Sequence, residues 1–166
     1  MPTDELASAA AAATAAWGAR VRAHHDQTAR VRETPEAVDF YAPVTQVFIA
    51  DPRRTDDEVL DHVLPLARAD DRWLDIGAGA GRYALPLALR VQGVIAVEPS
   101  DGMRSALEEL AVEHAIANVR TIDDRWPPVP GGPGDGIHAD AALIAHLGYD
   151  IKAIGPFLDA TESAAG

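Results

Sequence analysis

A three-layer α/β fold built on a mainly parallel sheet is predicted by three observations. A short apolar run, Trp73-Leu74-Asp75-Ile76, breaks into glycines at 77, 79 and 81 and resumes as an apolar helical pattern from Tyr83 to Leu89. A second run rich in β-branched residues, Gly93 to Val97, follows that helix. Helix and strand signals then keep alternating through residue 146, as they do where helices cover both faces of a parallel sheet.

The first run reads as a buried strand, a tight turn and a helix whose N-terminus points at whatever sits over the turn. Glycines there let the backbone take positive φ and let a ligand approach the main chain. Their spacing separates cofactors. A dinucleotide turn uses G-x-G-x-x-G, whereas Gly77, Gly79 and Gly81 form G-x-G-x-G, with Arg82 where the third glycine belongs. Asp75, just before the first glycine, adds negative charge beside an anionic pyrophosphate. A cofactor with a cationic centre and an ammonium group suits it better.

The second strand ends in Glu98, 17 residues after Gly81, followed by Pro99, Ser100 and Asp101. That separation is close to the roughly 20 residues leading to the ribose-binding acid of dinucleotide folds. A carboxylate accepts both hydroxyl protons of a vicinal diol; the alternative is an acid that caps the loop before the next helix. Ser100 is a suitable N-cap, and Met103, Ala106, Leu107, Leu110 and Ala111 form the apolar stripe of that helix.

Residues 118–122 read as a third strand, ending in Asp123-Asp124-Arg125-Trp126-Pro127. The Pro- and Gly-rich stretch 127–136 reads as a surface loop. Ala139 to His146 reads as a fourth strand, and Ile151, Ile154, Phe157 and Leu158 mark a short helix before an Ala-rich polar tail over 159–166.

The hydrophobic-D-x-G-x-G-x-G pattern at Leu74–Gly81, with Glu98 ending the next strand, resembles the first motifs of the class I S-adenosylmethionine (SAM)-dependent methyltransferases. The resemblance covers roughly residues 40–160. It implies a Rossmann-like three-layer sandwich with strand order 3-2-1-4, later strands missing, and an N-terminal helical extension. SAM is the implied cofactor, with Asp75, Gly77, Ala78, Gly79, Gly81, Glu98 and Pro99 around its methionine and ribose. Asp123 or Asp124 would face the adenine amino group beside Arg125, and Trp126 would stack on the ring. Tyr41 would close over the methionine end. His146 and Tyr149, past the fourth strand, are the implied contacts to methyl donor and acceptor and the candidates for a general base. Such domains carry seven strands in the order 3-2-1-4-5-7-6, of which four are legible here. The chain is thus expected to stop about two-thirds of the way through.

The N-terminal part, 1–69, is expected to be a helical extension and 70–166 the cofactor-binding core. Glu5 to about Arg32 is dense in Ala and Arg without Pro, hence a long helix. Its apolar positions Ala13, Trp17 and Val21 are sparse, so part of it stands off the core. Pro35 ends it or opens the next piece. Phe40, Tyr41, Val44, Val47, Phe48 and Ile49 supply a second apolar helix or turn. Thr55-Asp56-Asp57-Glu58 fits a capping box for a helix along Val59, Leu60, Val63, Leu64 and Leu66. Arg53 reads as a solvated charge; the alternative is a partner for a carboxylate of cofactor or substrate.

Fourteen Lys and Arg against 26 Asp and Glu give a net charge of −12. That balance argues against nucleic-acid phosphates as a partner and for a small-molecule acceptor. With no cysteine, no disulfide framework or thiolate site exists. The six histidines lack a ligand spacing, so no metal is expected. No stretch approaches the apolar length of a membrane span and the Ala-rich start lacks a basic leader, so the expected location is cytoplasmic. Strand four, apolar yet at the edge of a 3-2-1-4 sheet, is expected to be covered by a second copy in a homodimer. The function that the resemblance implies is methyl transfer from SAM to an unidentified small-molecule acceptor. The alternatives are a SAM-binding remnant or pseudoenzyme without turnover, acting as an oligomerisation module, and an NAD(P)-binding Rossmann protein.

Overall fold

The computed structural model describes residues 2–33 and 39–166. Pro35, expected at the end of the first helix, lies outside the described residues. The elements are α1 (Pro2–Val31), a 3₁₀ turn (Ala42–Phe48), α2 (Glu58–Val63) with a 3₁₀ turn (Leu64–Leu66), β1 (Arg72–Ile76), α3 (Ala84–Ala88), β2 (Gly93–Val97), α4 (Asp101–Glu113), β3 (Val119–Ile122), β4 (Ala141–Ile144), a 3₁₀ turn (Gly148–Asp150) and α5 (Ile154–Ala164).

The four strands form one parallel sheet in the order β3-β2-β1-β4. β1 is central, pairing Arg72 to Ile76 with Gly93 to Val97 on one side and Trp73 to Ile76 with Ala141 to Ile144 on the other. Because alternate side chains of a strand point to opposite faces, the central strands feed two cores. Trp73, Val94 and Ala96 pack with Leu85 and Leu87 of α3 and Leu107 and Leu110 of α4. Leu74, Ile76, Ile95, Val97 and Ile122 pack on the opposite face with Phe157 and Ala164 of α5. A sheet covered on both faces explains why β1 and β2 are apolar at nearly every position.

Helix α4 begins where the residues predict. Ser100 is the N-cap, its Oγ accepting from Met103 N, and the five expected stripe residues are all buried. Helix α2 departs from the expectation. Asp57, not Thr55, is the N-cap, its Oδ1 accepting from Val59 N (3.1 Å) and Leu60 N (3.3 Å). The helix ends at Val63 because Pro65 follows, and Leu66 is exposed. The tail is also helical rather than loose as far as Ala164. Phe157, Thr161 and Ala164, spaced i, i+4, i+7, bury one face of α5. Ala165 then makes a parallel bridge to Ala139, flanking the outer side of the approach to β4.

Helix α1 is mostly exposed, with Gly18 and Val21 its buried positions among the described side chains. It is anchored by Trp17 Nε1 donating to Ile151 O (2.9 Å) and by His25 Nε2 against Asp150 Oδ1 (2.7 Å). No helix among the described residues is long and apolar enough to cross a membrane. No group of His, Cys, Asp and Glu among them is arranged to hold a metal ion.

Candidate functional site at the carboxyl ends of the strands

The turn after β1 is fastened to β2, with Gly77 N and Ala78 N both donating to Val97 O at 2.8 and 3.2 Å. Its glycines do different work. Gly79 has φ +54° and open space where a Cβ would stand, so it presents bare backbone to solvent. Gly81 has φ +83°, and a Cβ there would meet the side chains of Leu107 and Leu85 at 2.9 Å, so it packs inward. Helix α3 starts at Ala84, one residue later than the pattern from Tyr83 suggests.

Glu98 is buried beside the turn. Its Oε2 accepts from Gly79 N (2.9 Å) and its Oε1 from Ser100 N (2.9 Å). Each oxygen therefore keeps a lone pair for a further donor, which is what a vicinal diol requires. Burial pushes its carboxyl above the usual carboxylate range, while the Ser100 and Gly79 N–H groups and Arg104 hold it back. Asp75 lies deeper, 2% exposed, with Oδ2 lacking any partner. Burial, and then the charge of Glu98, push it up to about 7. An orphaned buried carboxyl oxygen below a glycine turn fits a cationic ligand, whose charge would relieve both effects.

Asp75 also fixes a pH dependence. With the folded value raised above the ordinary 3.8, its contribution is fully present below about pH 4 and lost as pH rises through about 7. Asp75→Asn is accordingly expected to flatten the loss of stability between pH 4 and 7 and to gain about 2 kcal/mol at pH 8. Urea midpoints at pH 5 and pH 8 test this; an equal shift at both pH values would contradict it.

Above the turn opens a cavity of about 450 Å³. Of the expected site residues, Tyr41, Gly77, Ala78, Gly79, Glu98, Pro99, Asp124, Arg125, Trp126, His146 and Tyr149 line it. Asp75 and Gly81 lie beneath or behind this lining. Asp123 is exposed and its Oδ1 meets Arg104 at 2.9 Å. Asp124 instead accepts from Arg125 N (2.8 Å) and Gly134 N (3.0 Å), tying the Pro-Gly loop to the cleft wall. Trp126 is oriented by its indole N–H donating to Thr161 Oγ1 of α5 (3.0 Å).

The far wall contains residues that the pattern did not single out. Tyr83 is buried, its hydroxyl 3.0 Å from His146 Nε2, and the two rings stack at 6.0 Å. His146 holds φ +57°, a left-handed conformation uncommon for a residue with a side chain. The guanidiniums of Arg82 and Arg54 sit 5.7 and 5.9 Å from the Tyr83 ring centre. Both close on Asp57 Oδ2 at 2.9 Å, and Arg54 also donates to Arg82 O (2.9 Å). Arg53, read as a solvated charge with a ligand carboxylate as the alternative, turns the other way to His114 (3.0 Å). A hint of this network lay in the sequence: the acid that caps α2 is three residues from Arg54, and Arg82 replaces a glycine.

A parallel sheet ordered β3-β2-β1-β4, with a glycine turn after its central strand and an acid ending the next, is a Rossmann-like α/β arrangement, and the proteins to which this chain is similar are SAM-dependent methyltransferases. No family model matches the chain. It is 35% identical over 89 residues to the 23S rRNA (uracil(1939)-C(5))-methyltransferase RlmD of Stenotrophomonas maltophilia, a match covering 49% of this chain and 20% of that protein. It is 32% identical over 78 residues to ribosomal RNA small subunit methyltransferase G of Pseudomonas aeruginosa, covering 45% of this chain and 36% of that one. The chain thus spans well under half the length of these relatives. Among solved structures, the fold matches a SAM-dependent methyltransferase from Thiobacillus denitrificans in complex with S-adenosyl-L-homocysteine, with TM-score 0.60 and 14% identity over 80% of this chain and 53% of that one.

These relatives correct the expected partners. Both named proteins are ribosomal RNA methyltransferases, which overturns the expectation of a small-molecule acceptor with no nucleic acid. That expectation rested on a net charge summed over the whole chain. A sum is blind to position, and Arg82 and Arg125 line this cleft beside Glu98, Asp124 and Asp150.

Proposed function

We propose that the chain binds SAM in the cleft above the glycine turn and directs its methyl group to RNA, in a cytoplasmic setting. The observation that carries this reading is the Glu98 carboxylate, pinned by Gly79 N and Ser100 N with one lone pair per oxygen left for hydroxyls. When bound, SAM supplies a methyl group already activated by its sulfonium, so no protein nucleophile is required. Glu98 would accept the two ribose hydroxyls. Asp75 would set negative potential beneath the cationic end, and Tyr41 would cover it. Asp124, Arg125 and Trp126 would hold the adenine against the wall that the Pro-Gly loop and α5 keep fixed. The protein's remaining work is alignment and exclusion of water. With its Nε2–H donating to the Tyr83 hydroxyl, His146 would keep the Nδ1 lone pair to take a proton from an acceptor atom that carries one. Tyr149, exposed at the rim, would touch the acceptor. RNA is the acceptor class because the ribosomal RNA methyltransferases are the relatives matched in sequence.

Calorimetric titration with SAM, S-adenosylhomocysteine and NAD tests the cofactor. Micromolar binding of the first two and none of NAD is expected. Glu98→Gln keeps the shape but weakens the acceptor, and is expected to cost more than about tenfold in SAM affinity. NAD binding, or indifference of SAM to Glu98→Gln, would sink the assignment.

A further inference from the structure

Tyr41 and Phe48 line the cleft, yet the segment that carries them is weakly packed. In the 3₁₀ turn Ala42–Phe48 only Thr45 is buried, while Val44, Val47 and the preceding Phe40 are exposed. Most of its apolar surface stays in water, so burial alone fixes it weakly. Its polar attachment is concentrated in one carboxylate, that of Asp39, half-buried between the turn and the start of α4. Oδ1 accepts from Tyr41 N (3.1 Å) and Ala42 N (3.2 Å) of the turn and from Ser100 Oγ (2.8 Å) of the helix cap. Oδ2 accepts from the same hydroxyl at 2.9 Å and from Gly102 N at 3.2 Å. The two segments fit closely there, since a Cβ at Gly102 would stand 2.8 Å from Ala42 Cα. The Gly102 N–H foremost, against desolvation, holds the Asp39 carboxyl below the usual carboxylate range.

We infer that Asp39 is a positioning residue for the cofactor: it clasps the aromatic segment to the start of α4 and so holds Tyr41 over the methionine end of SAM. The inference rests on the cleft being the SAM site. Charge-assisted hydrogen bonds from both sides make one carboxylate a strong join between two backbone segments. The helix side of the clasp is Ser100, whose N–H also pins Glu98 Oε1 at 2.9 Å. One residue thus sets the aromatic cover and the ribose acid in a common frame. Tyr41 is further held edge-on between Phe40 and Phe48, at 5.2 and 5.7 Å between ring centres, so fixing its backbone places three rings together. A cover already in place when the ligand arrives does not have to be ordered on binding, which strengthens affinity for the portion beneath it. Adenine and ribose, taken by Trp126, Arg125 and Glu98, do not depend on that cover. Asp39 therefore acts on one end of the cofactor without touching it.

Calorimetric titration of the whole chain with S-adenosylhomocysteine, and with adenosine, which lacks the amino-acid end, tests the clasp. Asp39→Asn and Tyr41→Ala are each expected to weaken S-adenosylhomocysteine about tenfold. The double variant is expected to lose about tenfold as well, not a hundredfold, because Asp39 acts through Tyr41. Adenosine affinity is expected to stay within about twofold in Asp39→Asn, whereas Glu98→Gln weakens both ligands. A residue that merely supported α4 would weaken both ligands alike and add to the loss from Tyr41→Ala. Circular dichroism identifies a variant that fails to fold; Ser100→Ala, which removes the clasp from the helix side, then takes the place of Asp39→Asn in the same cycle. Unchanged S-adenosylhomocysteine affinity in Asp39→Asn, an additive cycle, or an equal loss of adenosine overturns the proposal. Wild type that binds neither ligand overturns the cofactor assignment instead, and is read separately.

Discussion

Gly81→Ala is expected to destabilise the chain by about 3 kcal/mol, whereas Gly79→Ala, two residues away in the same turn, costs about 1 kcal/mol. Both positions are left-handed, at φ +83° and +54°, so both alanines carry the same conformational penalty. The difference is packing. At Gly81 the new methyl stands 2.9 Å from side-chain carbons of Leu107 and Leu85, both fully enclosed between the sheet and the helices. At Gly79 it enters the open cleft. Urea unfolding followed by tryptophan fluorescence measures both. Equal losses would mean that α3 and α4 adjust freely, against the dense packing seen on that face.

Asp57→Ala is expected to cost about 4 kcal/mol, the largest effect of any polar substitution here. The residue caps α2 through one oxygen and neutralises two arginines through the other. Its removal leaves Arg54 enclosed with no countercharge. The same contacts fix a pH signature. Desolvation opposes the charged form, but the hydrogen bonds from Arg54 and Arg82 prevail and hold the carboxyl at about 2, against the ordinary 3.8. A depressed acid contributes stability that is present above about pH 4 and lost as pH falls through about 2. The contribution is about 2 kcal/mol and is expected to vanish from the acid limb in Asp57→Ala. Asp75 acts in the opposite sense between pH 4 and 7. Together the two acids place their combined optimum near pH 4. Urea midpoints from pH 2 to 8 on wild type and Asp57→Ala settle the point; an unaltered acid limb in the variant would rule out this role for Asp57.

The sheet was legible because its determinants are local. Continuous burial at Trp73 to Ile76, β-branched residues at 93–97 and the Ser100 cap each act within a few residues. The glycine turn and Glu98 were legible for the same reason, since a parallel strand–helix–strand unit fixes their separation. The opposite wall was not. Tyr83 meets His146 across 63 residues, and Arg82 meets Asp57 across 25. Such pairings depend on which side of β1 each loop reaches, and no periodicity encodes that. Asp123 and Asp124 were indistinguishable as adjacent acids; Arg104, one helix away, separates them by pairing with Asp123. The helical tail was misjudged because Ala, Thr, Glu and Ser look polar until Phe157 fixes which stripe faces the sheet. The exclusion of nucleic acid went too far because net charge discards position.

The bonds from α1 to the segment after β4 join opposite ends of the chain. Trp17 and Ile151 are 134 residues apart, and His25 and Asp150 are 125 apart. Closing loops of that length gains nothing until the sheet between them exists, so α1 docks late in folding. In the opposite direction it is the first large element to let go, because most of its surface already faces water. His25 and Asp150 both belong to the cleft lining. One wall of the site is therefore the part of the molecule assembled last, and amide exchange there will outpace exchange in β1 and β2.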